Sequence, residues 1–206
     1  MPYVATCSCI LDEHLDYSTT ANVLSGSASR ALGGIYSKFK KLNGLGYQTY
    51  TKLYLTGVVP IMDYCSGIWG YQHFGKLNTV QNRSQRLYLG VHRFAPNMAV
   101  NGDMGWVSSN TRRKIEMLQL WNRLVEMDGN RLTKQIFLWD KDKSTRNWSD
   151  EVFKILTDIG LEQIFYQNKT ADLEYCKSIL CTADREIWCQ QITTVPMLRT
   201  YVTYKT

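Results

Sequence analysis

The chain has 206 residues, of which 44% are hydrophobic and 20% are charged. This composition is that of an ordinary globular protein with one domain or two small ones, and it excludes a disordered or fibrous chain. The first residues lack the basic flank and the apolar stretch of a signal peptide. The longest apolar run, residues 58–62, is short and contains Pro60, so it cannot span a membrane. We therefore expect an intracellular protein, in either the nucleus or the cytoplasm, with no membrane partner.

Six cysteines and three histidines are the residues from which a metal site would be built. No two cysteines have the two-residue spacing of a zinc-binding pair, and no histidine falls at ligand distance from a pair of cysteines. Reduced thiols, mostly buried, are the expected state in an intracellular protein. The sequence therefore predicts no metal site and no cofactor.

Charge is distributed unevenly along the chain, whose formal net charge is +6. Residues 1–114 contain twelve Lys or Arg and five Asp or Glu, whereas residues 115–206 contain twelve and thirteen. The positive surplus thus belongs to the first part. This asymmetry favours a polyanionic partner, although a basic, solvent-exposed face on an ordinary globular protein would give the same count.

Apolar residues recur at alternating steps of three and four after the capping residues Asp16 and Ser18. Their spacing predicts one long helix that ends before residues 43–46 and carries three lysines in its last turns. The apolar positions are Ala21, Leu24, Ala28, Leu32, Ile35, Phe39 and Leu42, and the lysines are Lys38, Lys40 and Lys41. A second helix is predicted to begin near Tyr47 and to be kinked or divided by Pro60.

The next helix is predicted to start near Phe74. Its expected inward positions are Leu77, Val80, Ser84, Leu87 and Val91. After a glycine-rich turn at residues 102–106, a long helix starts near Thr111, and its broad apolar arc predicts a place at the centre of a bundle. Two more helices are predicted to open at residues 149–150 and at Asp172, where side chains suited to helix capping stand.

Extended structure is indicated only at the two ends of the chain. The tail from residue 196 is rich in Tyr and Thr with some alternation, which favours an extended segment. The predicted fold class is therefore mainly α, with a helical bundle, a second helical region, and short extended segments at both ends.

No pattern in the sequence predicts a catalytic residue. A polymerase holds two magnesium ions with clustered acidic residues, and this chain contains no adjacent Asp-Asp pair. Its glycines lack the Gly-Lys-Ser/Thr ending of a phosphate-binding loop, and no Gly-x-Ser-x-Gly element is present. We interpret His14, His73 and His92 as surface or capping residues.

Residues 77–87 are richer in amides and arginines than in the Glu and Lys that usually cover a solvent-exposed helix face. Amides can bond base edges and sugars in a shallow groove, and arginines can bind phosphates. The alternative is a polar surface without a ligand. The candidate nucleic-acid-binding residues are Asn78, Gln81, Asn82, Arg83, Gln85 and Arg86 on this helix, together with Lys38, Lys40 and Lys41.

The same helix resembles the thumb of reverse transcriptases from jockey-like, LINE-type non-LTR retrotransposons. The family pattern is a leucine, polar residues with a Gln-Asn-Arg element, and a Leu-Gly-Val ending; here these are Leu77, residues 81–83 and residues 89–91. Similar segments stand in the family's order at residues 10–17, 27–35, 59–64, 68–71, 102–106, 120–124 and 198–201. The likeness covers nearly the whole chain from about residue 10.

The resemblance implies a division of the chain into three parts. Residues 1–15 are expected to be a degenerate remnant of the primer-grip hairpin, residues 16–105 a thumb-like helical domain, and residues 106–206 a C-terminal helical domain. Two segments depart from the family, because residues 6–8 read Thr-Cys-Ser where Tyr-Leu-Gly is usual, and residues 107–109 replace the usual Pro-Leu.

By this resemblance, the chain binds RNA or an RNA–DNA duplex but does not polymerise, because the palm and its metal-binding aspartates are missing. Two alternatives stay open. One is a non-catalytic helical domain that binds other proteins. The other is a subunit that completes a polymerase whose palm stands on another chain.

Overall fold

The computed structural model describes residues 4–6, 9–11, 16–143, 147–198, 201 and 203. Two short strands, β1 (Val4–Thr6) and β2 (Cys9–Leu11), form an antiparallel pair in which Val4 pairs with Leu11. The described helices are α1 (Ser18–Lys41), α2 (Tyr47–Gly57), α3 (Val59–Met62), α4 (Ser66–Trp69), α5 (Gly75–Leu89), α6 (Asn97–Met104), α7 (Ser109–Glu126), α8 (Leu132–Lys141), α9 (Trp148–Asp158), α10 (Glu162–Tyr166) and α11 (Leu173–Thr194). A 3-10 helix follows at Pro196–Leu198. The predicted class, mainly α, is confirmed.

The chain divides into two compact units. Unit 1 contains residues 1–65, 74–109 and 188–206, and unit 2 contains residues 66–73 and 110–187. The predicted helical domains, residues 16–105 and 106–206, stay a prediction; unit 2 also takes in residues 66–73, and unit 1 also takes in residues 188–206.

The primer-grip interpretation of residues 1–15 stays a prediction. Of these residues, 1–3, 7–8 and 12–15 lie outside the described part, and they include Cys7, Ser8 and His14. Arg199 and Thr200, which belong to the last family-like segment, also lie outside it.

The first helices form where the sequence predicts them. Asp16 accepts hydrogen bonds from the backbone N–H and the hydroxyl of Ser18, each at 2.9 Å, and so stabilises the start of α1. Pro60 divides the second helix into α2 and α3, and it occupies the first turn of α3, where its missing N–H has no helical partner to lose.

Four shorter helices, α4, α6, α8 and α10, have no counterpart among the sequence-predicted elements. In α6 the expected glycine-rich turn is helical up to Met104 and ends at Gly105, whose φ of +59° suits glycine. Tertiary hydrogen bonds fix this helix. The indole of Trp188 donates to the carbonyl of Met98 at 2.8 Å, and the hydroxyl of Tyr201 donates to that of Ala99 at 3.1 Å.

The extended segment expected at the C-terminal end is wrong for the residues that the structure describes. Pro196–Leu198 forms a 3-10 helix, and residues 201 and 203 are helical. Leu198 is buried, and Tyr201 bonds both Ala99 and Asp103, so tertiary contacts override the strand preference of Tyr and Thr.

In unit 1, α1 packs against α2, α3 and α5, and α5 also packs against α6. The buried apolar side chains of these helices, and of the residue between α2 and α3, are Ala21, Leu24, Ala28, Leu32, Tyr50, Tyr54, Val58, Met62, Leu77, Val80, Val100 and Met104. Near the ends of α1 and α5, the rings of Phe39 and Tyr88 lie 6.1 Å apart, and Tyr88 lies 4.9 Å from Tyr50. This aromatic cluster fixes the end of α1 beside the end of α5.

In unit 2, α7 is central, as its broad apolar arc predicts. Met117, Leu118 and Trp121 are fully buried in a core that also includes Phe137 of α8 and Leu156 of α9. The core is completed by Leu124, Val152, Ile155, Ile159, Ala171, Cys176 and Leu180. Beside it, the amide of Asn122 bonds both the N–H and the carbonyl of Ala171, at 2.8 and 2.7 Å, and holds that segment against α7.

Candidate nucleic-acid interface

An open cleft of about 300 Å³ lies between α1 and α5 in unit 1. The lining residues are Asn22, Ser25, Gly26 and Ser29 from α1, and Lys76, Thr79, Val80 and Arg83 from α5. The spacing of each set is three, four and seven residues, so each set forms one row along its helix. Small polar side chains therefore face a row that carries two cations, and none of these eight lining residues is acidic.

The two helices run in the same direction along the cleft. Asn22 and Lys76, near the two helix starts, line the same cleft, and Phe39 contacts Tyr88 near the two helix ends. Lys76 and Arg83 are separated by two turns, which places them about 10 Å apart along the axis of α5.

Lys76 and Arg83 are both exposed, and within the described residues neither has an ion-pair or hydrogen-bond partner. Their charges are therefore available to an anionic ligand. Arg83 was predicted from the sequence, but Lys76 was not. The signal that would have found Lys76 is its seven-residue spacing from Arg83, which places both on one side of a helix.

The two glutamines of the predicted site do not face solvent. Gln81 is 5% exposed and Gln85 is fully buried, and they lie beside Leu77, Val80 and Ser84. The amide of Gln81 donates to the carbonyl of Val107 at 3.2 Å. The prediction that they meet bases is wrong, because α5 packs against both α1 and α6, and its buried arc is therefore wider than the apolar stripe indicates.

Arg86 is occupied within the protein. Its guanidinium donates to the carbonyl of Ala95 at 2.8 and 3.3 Å, and also to the side chain of Asn97. These bonds fix the loop between α5 and α6, so Arg86 positions that loop and is not a free phosphate ligand. Asn78 and Asn82 are half-buried on the flank of α5, between the buried face and the cleft row.

Lys38, Lys40 and Lys41 are exposed in the last turn of α1. Only Lys40 continues the row of the cleft, because it follows Asn22 by eighteen residues, which is about five full turns. Its ammonium nitrogen lies 5.1 Å from the ring centroid of Tyr36, which shares the row. By the same geometry, Lys38 points to the opposite side of the helix and Lys41 about a quarter turn away.

The site helix is anchored by a buried tyrosine. The hydroxyl of Tyr50 bonds the carbonyl of Ser84 at 3.0 Å, and burial raises the pKa of this phenol above its ordinary value. Tyr50 therefore stays neutral over the physiological range. Its role is to hold α5 in place under the cleft.

Counting by compact unit gives a net charge of +6 for unit 1 and zero for unit 2, where the two parts of the sequence give +7 and −1. Unit 1 contains eleven Lys or Arg and five Asp or Glu, and unit 2 contains thirteen of each. The whole net charge of +6 therefore belongs to unit 1, the unit that contains the cleft. Such a surplus attracts polyanions.

Two further features are absent from the described residues. No group of three or more His, Cys, Asp or Glu side chains there has the proximity to hold a metal ion. Among the same residues, no helix combines the length and the apolar character that crossing a bilayer requires.

Comparisons of the chain with models of protein families, with curated proteins and with solved structures found no match. The reverse-transcriptase resemblance therefore stays a prediction, which rests on the ordered segments described under Sequence analysis.

Proposed function

We propose that this chain is the thumb and following region of a non-LTR retrotransposon reverse transcriptase, and that it binds RNA or an RNA–DNA duplex without catalysing polymerisation. The ordered family-like segments support the origin. The observation that carries the binding role is the cleft between α1 and α5, within the unit that holds the whole net charge. Two cations stand there in one row, and neither has an ion-pair partner in the described part of the chain.

The cleft suits a nucleic-acid backbone. Lys76 and Arg83 stand two turns of α5 apart, so each contacts a different phosphate. The planar guanidinium of Arg83 can bond one phosphate through two N–H groups. On the facing helix, Asn22, Ser25 and Ser29 are short enough to bond sugar hydroxyls. A-form duplexes display 2′-hydroxyls and phosphates along a wide, shallow minor groove, and this favours RNA or an RNA–DNA duplex over B-form DNA.

The test is the salt dependence of binding to a short, dye-labelled RNA–DNA duplex, measured by fluorescence anisotropy. The variant Lys76→Gln/Arg83→Gln removes two phosphate contacts. Since each contact contributes about 0.7–0.9 to the slope of log K against log salt, we expect the slope to fall by about 1.5. Affinity in low salt is expected to fall by at least tenfold.

The matched control is Lys169→Gln/Arg185→Gln, which removes one exposed lysine and one exposed arginine from unit 2. It changes the net charge by the same amount and is expected to leave the slope unchanged. Equal slopes for the two double variants would refute the cleft as the binding site. Nucleotide incorporation by the purified chain would contradict the non-catalytic part of the proposal.

A protein-binding role is the second candidate, and one surface feature favours it. On α8, Leu132, Ile136 and Trp139 are 70, 55 and 63% exposed, and their spacing of four and three residues puts them on one face. Exposed apolar rows of this kind are used in helix-mediated recognition. This candidate is favoured by two results together. The parent chain binds a defined protein partner but no duplex, and Ile136→Ser/Trp139→Ser abolishes binding of that partner.

A further inference from the structure

The loop between α5 and α6, residues 90–96, carries a prominent exposed ring. Phe94 is 74% exposed, the highest value among the large hydrophobic side chains that the structure describes. The guanidinium carbon of Arg93 lies 4.7 Å from the centroid of this ring, and the ring centroid of His92 lies 5.1 Å from it. An aromatic face is thus presented to solvent next to a cation and a second ring.

The loop is fixed at both of its ends. Gly90 adopts a left-handed conformation with φ +66°, and the N–H of Val91 bonds the carbonyl of Arg86 at 3.2 Å. On the other side, Arg86 binds the carbonyl of Ala95, and the N–H of Ala95 bonds the carbonyl of His92 at 2.9 Å. The backbone is held in place while Phe94 projects outward, so little conformational entropy is lost when a ligand covers the ring.

The position of the loop relates it to the cleft. Gly90 follows Arg83 by seven residues, which is about 10 Å along α5. The loop therefore begins about 10 Å beyond the last cation of the cleft, on the same helix.

We propose that Phe94 is a stacking platform for an unpaired base, and that the ligand of this protein is therefore a duplex with a single-stranded overhang. The proposal rests on the proposed function, because the duplex part is held by the cleft. Every base has a π-face, so an exposed aromatic ring binds unpaired bases with little sequence preference. Arg93 covers part of the ring and places its charge where the adjoining phosphate lies.

The test compares a blunt RNA–DNA duplex with the same duplex carrying a four-nucleotide RNA overhang that contains 2-aminopurine. The parent chain is expected to bind the overhang duplex about tenfold more tightly and to quench the 2-aminopurine fluorescence on stacking. Phe94→Leu, which keeps an apolar side chain but removes the ring, is expected to abolish both effects. Phe94→Tyr is expected to retain them.

Two readouts separate stacking from charge and from folding. The blunt duplex has no unpaired base to stack, so Phe94→Leu is expected to leave both its affinity and the salt slope of its binding unchanged. The Lys76/Arg83 double variant is expected to change both quantities. Tyr175→Leu, which removes a ring that is 52% exposed in unit 2, is the matched control and is expected to behave as the parent. Thermal unfolding checks that each variant is folded.

The outcomes distinguish the two proposals. If the parent binds both duplexes equally, or if Phe94→Leu retains the overhang preference, the platform is refuted while cleft binding stands. If the parent binds neither duplex, both proposals fail.

Discussion

Units 1 and 2 are both helical and both built on one long helix, yet they use their cations differently. In unit 2, Lys134 donates to the carbonyls of Leu124 and Val125, and Lys141 donates to that of Phe165. Burial lowers the pKa of Lys141, which lies 5.5 Å from the ring centroid of Trp121. In unit 1, Lys76 and Arg83 stand along an open cleft without such partners among the described residues.

The difference shows that a count of charges does not identify a binding surface. Unit 2 contains more Lys and Arg than unit 1, thirteen against eleven, but an equal number of acids balances them and several complete its internal bonding. The contrast is repeated within α5, where Arg86 fixes a loop and Arg83 is open to solvent. The fold decides which cations remain available to a ligand.

The largest expected effect tests whether unit 2 takes no part in duplex binding. Trp121 is fully buried and donates to the carbonyl of Lys169 at 3.0 Å. Trp121→Ala is expected to lower the free energy of unfolding by about 3–5 kcal/mol in urea titrations. At temperatures where the variant stays folded, we expect the salt slope of duplex binding to match that of the parent.

The control for this change is Trp139→Ala, because Trp139 is 63% exposed. It is expected to cost less than about 0.5 kcal/mol. A changed salt slope in folded Trp121→Ala would mean that unit 2 contributes to binding and would break the contrast between the units.

A smaller effect separates the two arginines of α5. Arg86→Gln removes charge-assisted bonds to the carbonyl of Ala95 and is expected to destabilise the protein by about 1–2 kcal/mol. Arg83→Gln, three residues away, removes an exposed side chain and is expected to leave stability unchanged while weakening duplex binding. Urea unfolding and anisotropy on the same samples measure both. A loss of stability in Arg83→Gln, together with a loss of duplex binding alone in Arg86→Gln, would exchange the roles given to the two residues.

Substitutions of the two buried glutamines of α5 are expected to change the stability of the protein in opposite directions. Both amide atoms of Gln85 are buried and have no hydrogen-bond partner among the described residues, whereas the amide of Gln81 donates to the carbonyl of Val107. Gln85→Met, which keeps the shape, is expected to stabilise the protein by about 1 kcal/mol, and Gln81→Met to destabilise it by a similar amount. A loss of stability in both variants would show that the Gln85 amide has a partner, such as an ordered water.

The smallest effect concerns the tyrosine that fixes α6. Burial, and then the bond to Asp103, raise the pKa of Tyr201 from 10.0 to about 12. Stability that depends on the protonated phenol is therefore fully present below pH 10 and is lost as the pH rises through 12. Urea midpoints of the parent and of Tyr201→Phe are expected to converge between these two values, and a constant difference would exclude this role.

The sequence predicts the long helices well, because their apolar residues recur with the helical period and their ends carry capping residues or glycine. The short helices α4, α6, α8 and α10 could not be predicted this way, since tertiary bonds such as that from Trp188 to Met98 hold α6. At the candidate site, Arg83 and Lys40 were identified from residue type. The burial of Gln81 and Gln85 depends on α5 packing against two helices, which one helix's pattern does not reveal.

The most direct test of the cleft is to follow the amide signals of a ¹⁵N-labelled chain by NMR while an RNA–DNA duplex is added. The proposed function predicts that the largest shifts occur in the cleft, at Ser25, Gly26, Thr79 and Arg83, and that the core of unit 2 around Leu118 changes little. Shifts concentrated in unit 2, or no shifts at duplex concentrations well above that of the protein, would contradict it.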